Sequence, residues 1–231
     1  MNGIQEVRGS IPLRSTIFHT PERFGRSESG LRLPSCVCRR HLGENPDMAS
    51  LKSICVYCGS YAGRKVEYTL AAQELGGLLG STGRTLVYGG GGGGLMGETA
   101  RAAKASGGRV IGVIPSHLNT KERAYHEVEL RVVETMHERK QTMADLADGF
   151  IALPGGLGTF DELFEILTWN QIGLHGKPVG LLNVAGYFDA LLAVIEQAVR
   201  EGFAPATARS RILVGLTPPA LLEAMDAYIE E

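Results

Sequence analysis

What this 231-residue sequence lacks narrows its function before any motif is read. No apolar run reaches the ~18 residues that a membrane span needs, so no membrane partner is expected. Positive charge is not in excess: the net charge is -2. A non-specific nucleic-acid binder would carry a strongly basic footprint, so that class drops out as well. Cysteine is scarce, with residues only at 36, 38, 55 and 58. The Cys36-x-Cys38 and Cys55-x-x-Cys58 pattern has a superficial zinc or redox spacing. A redox pair normally opens a helix, whereas Cys55 lies inside the apolar run Ile54-Cys55-Val56-Tyr57. Reduced core cysteines in a cytoplasmic protein are the better reading. No internal repeat and no metal-ligand cluster stands out, so neither a metal nor another cofactor is expected.

Glycine is the residue in excess. There are 31, six of them consecutive from Gly89 to Gly94. No G-x-y period accompanies them, which excludes collagen. They must serve turns or a close approach of backbone to a ligand.

Residues 1–47 differ in composition from the rest, with seven Arg, no Lys and five acids. They lack the ~7–15-residue apolar stretch of a secretory signal, and their acids argue against a transit peptide. They read as a disordered extension, or as sequence upstream of a true start at Met48. A chain beginning at Met48 is expected to keep its melting temperature and turnover.

Residues 48–231 read as one domain. Continuous apolar runs predict strands at 53–58, 84–88, 109–114, 149–153, 178–182 and 211–214, with a shorter, less buried strand around Val128, Leu130 and Val132. Helical spacing predicts helices at 65–79, 95–106, 136–147, 159–171, 187–200 and 218–229. The alternation implies an α/β fold, a Rossmann-like, doubly wound, mainly parallel sheet with helices on both faces.

Ligands of such sheets bind beyond the carboxyl ends of the strands. Three unusual loops fall there: Cys58-Gly59-Ser60, Gly89 to Gly97, and Pro154-Gly-Gly-Leu-Gly158. Each joins a strand to a helix, where bare backbone N–H groups and the helix dipole favour an anion. Gly59, Ser60, Gly90, Gly91 and Met96 are therefore candidate ligand-facing residues. Two standard phosphate motifs do not fit. No acid follows the third strand to hold a dinucleotide ribose, and no G-K-[ST] follows the glycines as a P-loop requires. A mononucleotide or sugar phosphate remains.

Thr159-Phe-Asp-Glu162 and Thr135-Met-His-Glu138 both match capping boxes. In the first, Thr159 is expected at the N-cap with Glu162 at N3, aimed at the mouth where the loops converge. Arg139 and Lys140 follow the second box, and cations near a helix start favour an anionic ligand nearby. Glu165 reads as a solvated or packing residue, and His137 as structural rather than a base.

Taken together, Cys58-Gly59-Ser60, Tyr88 with its glycine tract and Leu95-Met96-Gly97, Met136-His-Glu-Arg-Lys140, and Pro154-Gly-Gly-Leu-Gly-Thr-Phe-Asp-Glu162 closely resemble the Lonely Guy family. These are cytokinin riboside 5′-monophosphate phosphoribohydrolases, often labelled lysine decarboxylases. The resemblance spans residues 52–229. It implies hydrolysis of the N-glycosidic bond of N6-modified adenosine 5′-monophosphates, and of AMP, to free base and ribose 5-phosphate. It also implies a homodimer. The family's catalytic pair falls on Arg139 and Glu162. Its nucleotide-contacting positions fall on Lys140, Gly156, Leu157, Gly158, Thr159 and Thr168, with Glu122 near a further one. Members usually carry a non-glycine residue inside the glycine tract, so the tract here is expected to be looser. A decarboxylase would need pyridoxal phosphate on a lysine, and no Lys follows a suitable loop. The alternatives are a broader nucleoside 5′-monophosphate hydrolase, or a nucleotide-binding carrier without hydrolysis.

Overall fold

The computed structural model describes residues 51–120 and 123–229. The readings of residues 1–47, of Cys36 and Cys38, and of Glu122 lie outside the described residues. Seven strands form one parallel sheet in the order β4-β3-β2-β1-β5-β6-β7. They are β1 (Ser53–Tyr57), β2 (Thr85–Tyr88), β3 (Val110–Pro115), β4 (Glu129–Val133), β5 (Gly149–Ala152), β6 (Val179–Leu182) and β7 (Ile212–Gly215). Six helices pack on the two faces: α1 (Val66–Ser81), α2 (Gly94–Ala105), α3 (Met136–Asp145), α4 (Leu157–Gln171), α5 (Asp189–Arg200) and α7 (Pro218–Ile229), with a single-turn α6 (Thr207–Ser210) before β7.

Alternate residues of β1, together with Cys58 just after it, feed two cores. Ile54, Val56 and Cys58 join α1, α2 and α7 on one face, while Cys55 and Tyr57 join α3, α4 and α5 on the other. Parallel strands covered on both faces read as continuous apolar runs for this reason. Gly76 and Gly80, one turn apart, let α1 lie directly on α2, since a Cβ at either would strike the carbonyl of Thr99 or Ala103. The edge strand β4 is largely exposed, which explains its weak alternating pattern.

The sheet reverses direction of growth between its central strand β1 and the neighbouring β5. The loops that leave these strands separate there, as a switch-point crevice requires. They stay tied at one point, where the Gly59 N–H donates to Pro154 O at 3.0 Å. Among the described residues no helix is long and apolar enough to cross a membrane.

Candidate active site

A cavity of about 940 Å³ opens at this crevice. Its walls come from the three glycine loops, from Met136 and Arg139 of α3, and from the first turns of α4. Of the residues singled out by sequence, Gly59, Ser60, Gly91, Met96, Arg139, Gly156, Leu157, Gly158, Thr159 and Glu162 line it. Gly90 lies just behind the wall, its carbonyl accepting from Tyr125 N–H at 3.0 Å. Lys140 and Thr168 are not among the lining residues. Thr168 sits exposed near the far end of α4, its hydroxyl donating to Phe164 O at 2.7 Å. The Lys140 ammonium is held by Asp161 at 3.2 Å and Glu165 at 3.1 Å. His137 is exposed and does not line the cavity.

The start of α4 departs from expectation. The N-cap is Gly156, and no side chain caps it. Thr159 is therefore at N3 and Glu162 a turn further in, so the first capping box does not form. The local T-x-x-E pattern loses to an N-cap three residues earlier, which leaves the opening N–H groups of α4 without side-chain acceptors. No heavy atom lies within 4 Å of a Cβ built at Gly156 or Gly158, so packing does not require glycine there. Bare backbone at a helix N-terminus is the arrangement that receives anions. Gly155 differs: its Cβ would strike the Thr159 side chain and Gly59 N.

The second box forms with its return bond shifted by one residue. Thr135 caps α3 by accepting from Glu138 N–H at 3.1 Å, and Glu138 accepts from Glu134 N–H at 2.9 Å. That cap orients the first turn, and Arg139 follows it into the protein. Its Nη1 donates to Glu162 Oε1 at 2.5 Å and its Nε to Val113 O at 3.1 Å. Its Nη2 lies against Gly89, where any Cβ would collide with it. The two side chains are only 8% and 6% exposed. The acidic face of α4 thus neutralises both cations at the start of α3.

Burial pushes the Glu162 carboxyl above the usual carboxylate range, with Arg139 acting in the opposite direction. A cavity-lining carboxyl raised this way is suited to proton transfer. Burial also pushes the Cys55 and Cys58 thiols far up, and they point into opposite cores as free cysteines. Neither is a thiolate nucleophile. Among the described residues no three His, Cys, Asp or Glu side chains converge as metal ligands.

The glycine tract is not loose. Gly92 N–H donates to Arg123 O at 2.8 Å, Arg101 donates to Gly92 O at 3.0 Å, and Gly91 forms a bridge with Ala124. The tract is pinned by the strand-like segment beside it, an arrangement that no local pattern announces.

Comparison with known proteins shows the family and the fold. The family model described as possible lysine decarboxylase matches residues 96–225. A cytokinin riboside 5′-monophosphate phosphoribohydrolase of Oryza sativa subsp. japonica is 51% identical over 181 residues, 78% of this chain and 75% of that protein. One of Arabidopsis thaliana is 48% identical over 187 residues, 80% of this chain and 87% of that protein. The molybdenum cofactor carrier protein of Chlamydomonas reinhardtii shares the fold, with a TM-score of 0.60 at 23% identity over 78% of this chain and 98% of that one. Motifs, geometry and relatives converge, and the chain belongs to the Lonely Guy family.

Proposed function

We propose that the protein hydrolyses the N-glycosidic bond of N6-modified adenosine 5′-monophosphates, and of AMP, releasing the free base and ribose 5-phosphate. The observation that carries this reading is the buried Arg139–Glu162 pair lining a cavity beside the open N-terminus of α4. The related plant proteins bear the name of this activity.

Cleavage of the C1′–N bond leaves an oxocarbenium-like cation on the sugar. The Glu162 carboxylate faces that charge and takes a proton from the attacking water, whose hydroxyl joins C1′. The departing base takes up a proton from solvent and Glu162 returns its own to solvent, so that the two hydrogens of water end on the C1′ hydroxyl and on the free base. Arg139 binds one oxygen of Glu162, fixing its direction while leaving the other free for water. The N–H groups of Gly156, Leu157, Gly158 and Thr159 receive the phosphate, with Gly59, Ser60, Gly91 and Met96 on the facing walls. Lys140 tunes the acidic face of α4 through Asp161 and Glu165.

Incubation with isopentenyl-AMP and with AMP, with detection of free base and ribose 5-phosphate, tests the reading. Tight binding without product would leave only a carrier.

The homodimer and the cytoplasmic location belong to the same proposal. Phe164, Ile172 and Leu174, on and just after α4, are 41%, 62% and 67% exposed, apolar surface that a second copy would cover. Free buried cysteines suit a reducing compartment. Light scattering at micromolar concentration is expected to give twice the chain mass.

A further inference from the structure

Tyr187 belongs to no motif, yet it lines the cavity and its hydroxyl donates to the carbonyl oxygen of Gly155. The segment that carries it is built with unusual care. Asn183 is buried and clamps the turn: its Nδ2 donates to Asp189 Oδ1 at 2.8 Å, and its Oδ1 accepts from Phe188 N–H at 2.7 Å. Its own N–H donates to Gly215 O at 2.8 Å, fastening the turn to the end of β7. Within the turn, Ala185 adopts φ 50° and ψ 32°, and it is the one non-glycine residue with positive φ among the described residues. Such backbone persists only where the surroundings over-determine it, and it concentrates at functional sites. Three rings then fix the phenol. Phe160 lies parallel to it at 6.4 Å, with Tyr68 at 5.7 Å and Phe188 at 5.1 Å edge-on.

The ring packing would be met by phenylalanine. The hydroxyl adds one thing, a donor to Gly155 O. A peptide unit is planar and trans, so holding its carbonyl holds the following N–H in the opposite direction. That N–H belongs to Gly156, the N-cap of α4. The preceding carbonyl, Pro154 O, is already tied to Gly59 N–H. Two consecutive peptide planes are thus fixed, one from the loop after β1 and one from the turn after β6.

We propose that Tyr187 is a positioning residue that sets the anion-binding backbone at the start of α4 through the Gly155 carbonyl. This rests on the phosphate-ester reading above and adds a residue from a distant part of the chain to it. The carbonyl lies beside an open cavity, where water can replace the phenol, so the bond contributes direction to the donors more than stability to the fold.

Tyr187→Phe tests this. The melting temperature is expected within about 4 °C of the parent. The KM for AMP and the inhibition constant of ribose 5-phosphate are expected to rise roughly 3- to 10-fold, the weight of one net hydrogen bond. Inhibition by adenosine, which lacks the phosphate, should not change. An unaltered ribose 5-phosphate constant would overturn the proposal, and so would a parallel loss of adenosine binding. Calorimetric binding of ribose 5-phosphate is measured alongside turnover. If the parent binds it but produces no base, the hydrolytic reading fails while the Tyr187 comparison still stands.

Discussion

Arg139 Nη1 meets Glu162 Oε1 at 2.5 Å, both side chains nearly buried in the cavity wall, and the two residues come from successive helices on one face of the sheet. A buried ion pair is weak evidence of stability, because desolvation opposes attraction. Removing one partner is costly, because the other charge is left bare.

Glu162→Gln and Glu162→Ala should therefore separate. Gln keeps an acceptor for Arg139 and loses only the charge. It is expected to lower kcat by ~10²-fold or more, the usual scale for an acid–base group. Ala leaves the guanidinium without a partner and should melt below Gln, with a stability loss approaching ~3 kcal/mol. Near-parent turnover by Glu162→Gln would remove Glu162 from the chemistry.

The raised carboxyl of Glu162 sets a pH dependence. The ionised form does the work, so kcat/KM should fall on the acid side with a midpoint above ~4.3, the ordinary Glu value. Arg139 pulls that midpoint down, so the residual activity of Arg139→Gln should show it moved to higher pH. For stability the sign is the reverse. A carboxyl raised on folding favours the protonated native state, so its contribution fades as pH rises from ~4.3 through the raised value. Parallel melting curves of the parent and Glu162→Gln across that window would contradict the assignment.

The six-glycine tract is not uniform. At Gly89 a methyl group would displace the Arg139 guanidinium, whereas at Gly92 it would find ordinary contacts beginning at 3.5 Å. Gly89→Ala should lose roughly 10²-fold in kcat, comparable to losing the acid–base pair it disrupts. Gly92→Ala should retain activity. Equal effects would show that Arg139 does not depend on bare backbone beneath it.

Phosphate should be essential to the substrate. Two charge-assisted hydrogen bonds from the start of α4 correspond to at least ~10²-fold in kcat/KM for AMP over adenosine. Comparable values for the two would reject the site at Gly156 to Thr159.

Most of this architecture is legible in the chain because parallel strands buried on both faces write themselves as unbroken apolar runs. Val110 to Pro115 and Gly149 to Ala152 are buried throughout and stand out at once. Helix starts are less legible. Thr159 looks like an N-cap, yet α4 begins at Leu157, because a cap pattern of four residues cannot outweigh loops that fix the chain from outside. Tyr187 reads as the first residue of a helix, whereas the helix begins at Asp189 and Tyr187 belongs to the clamped turn before it. Its role depends on Gly155, far away in sequence, so no local spacing marks it. Glu162 is legible from its T-x-x-E pattern and Arg139 from its place after the second one, and the family resemblance makes them a pair. Their mutual contact, and the tie of Arg139 to Val113, come only from the fold.

That tie to Val113 has a genetic consequence. Of the groups that hold the Arg139 guanidinium, Glu162 alone offers a side chain; Val113 offers a carbonyl and Gly89 offers empty space. A carbonyl cannot be deleted by any codon change. Random mutagenesis should find inactivating lesions at Glu162 and Gly89 but tolerate apolar exchanges at Val113. Much of what steadies this centre is thereby shielded from point mutation, and it would leave little trace in an alignment of sequences.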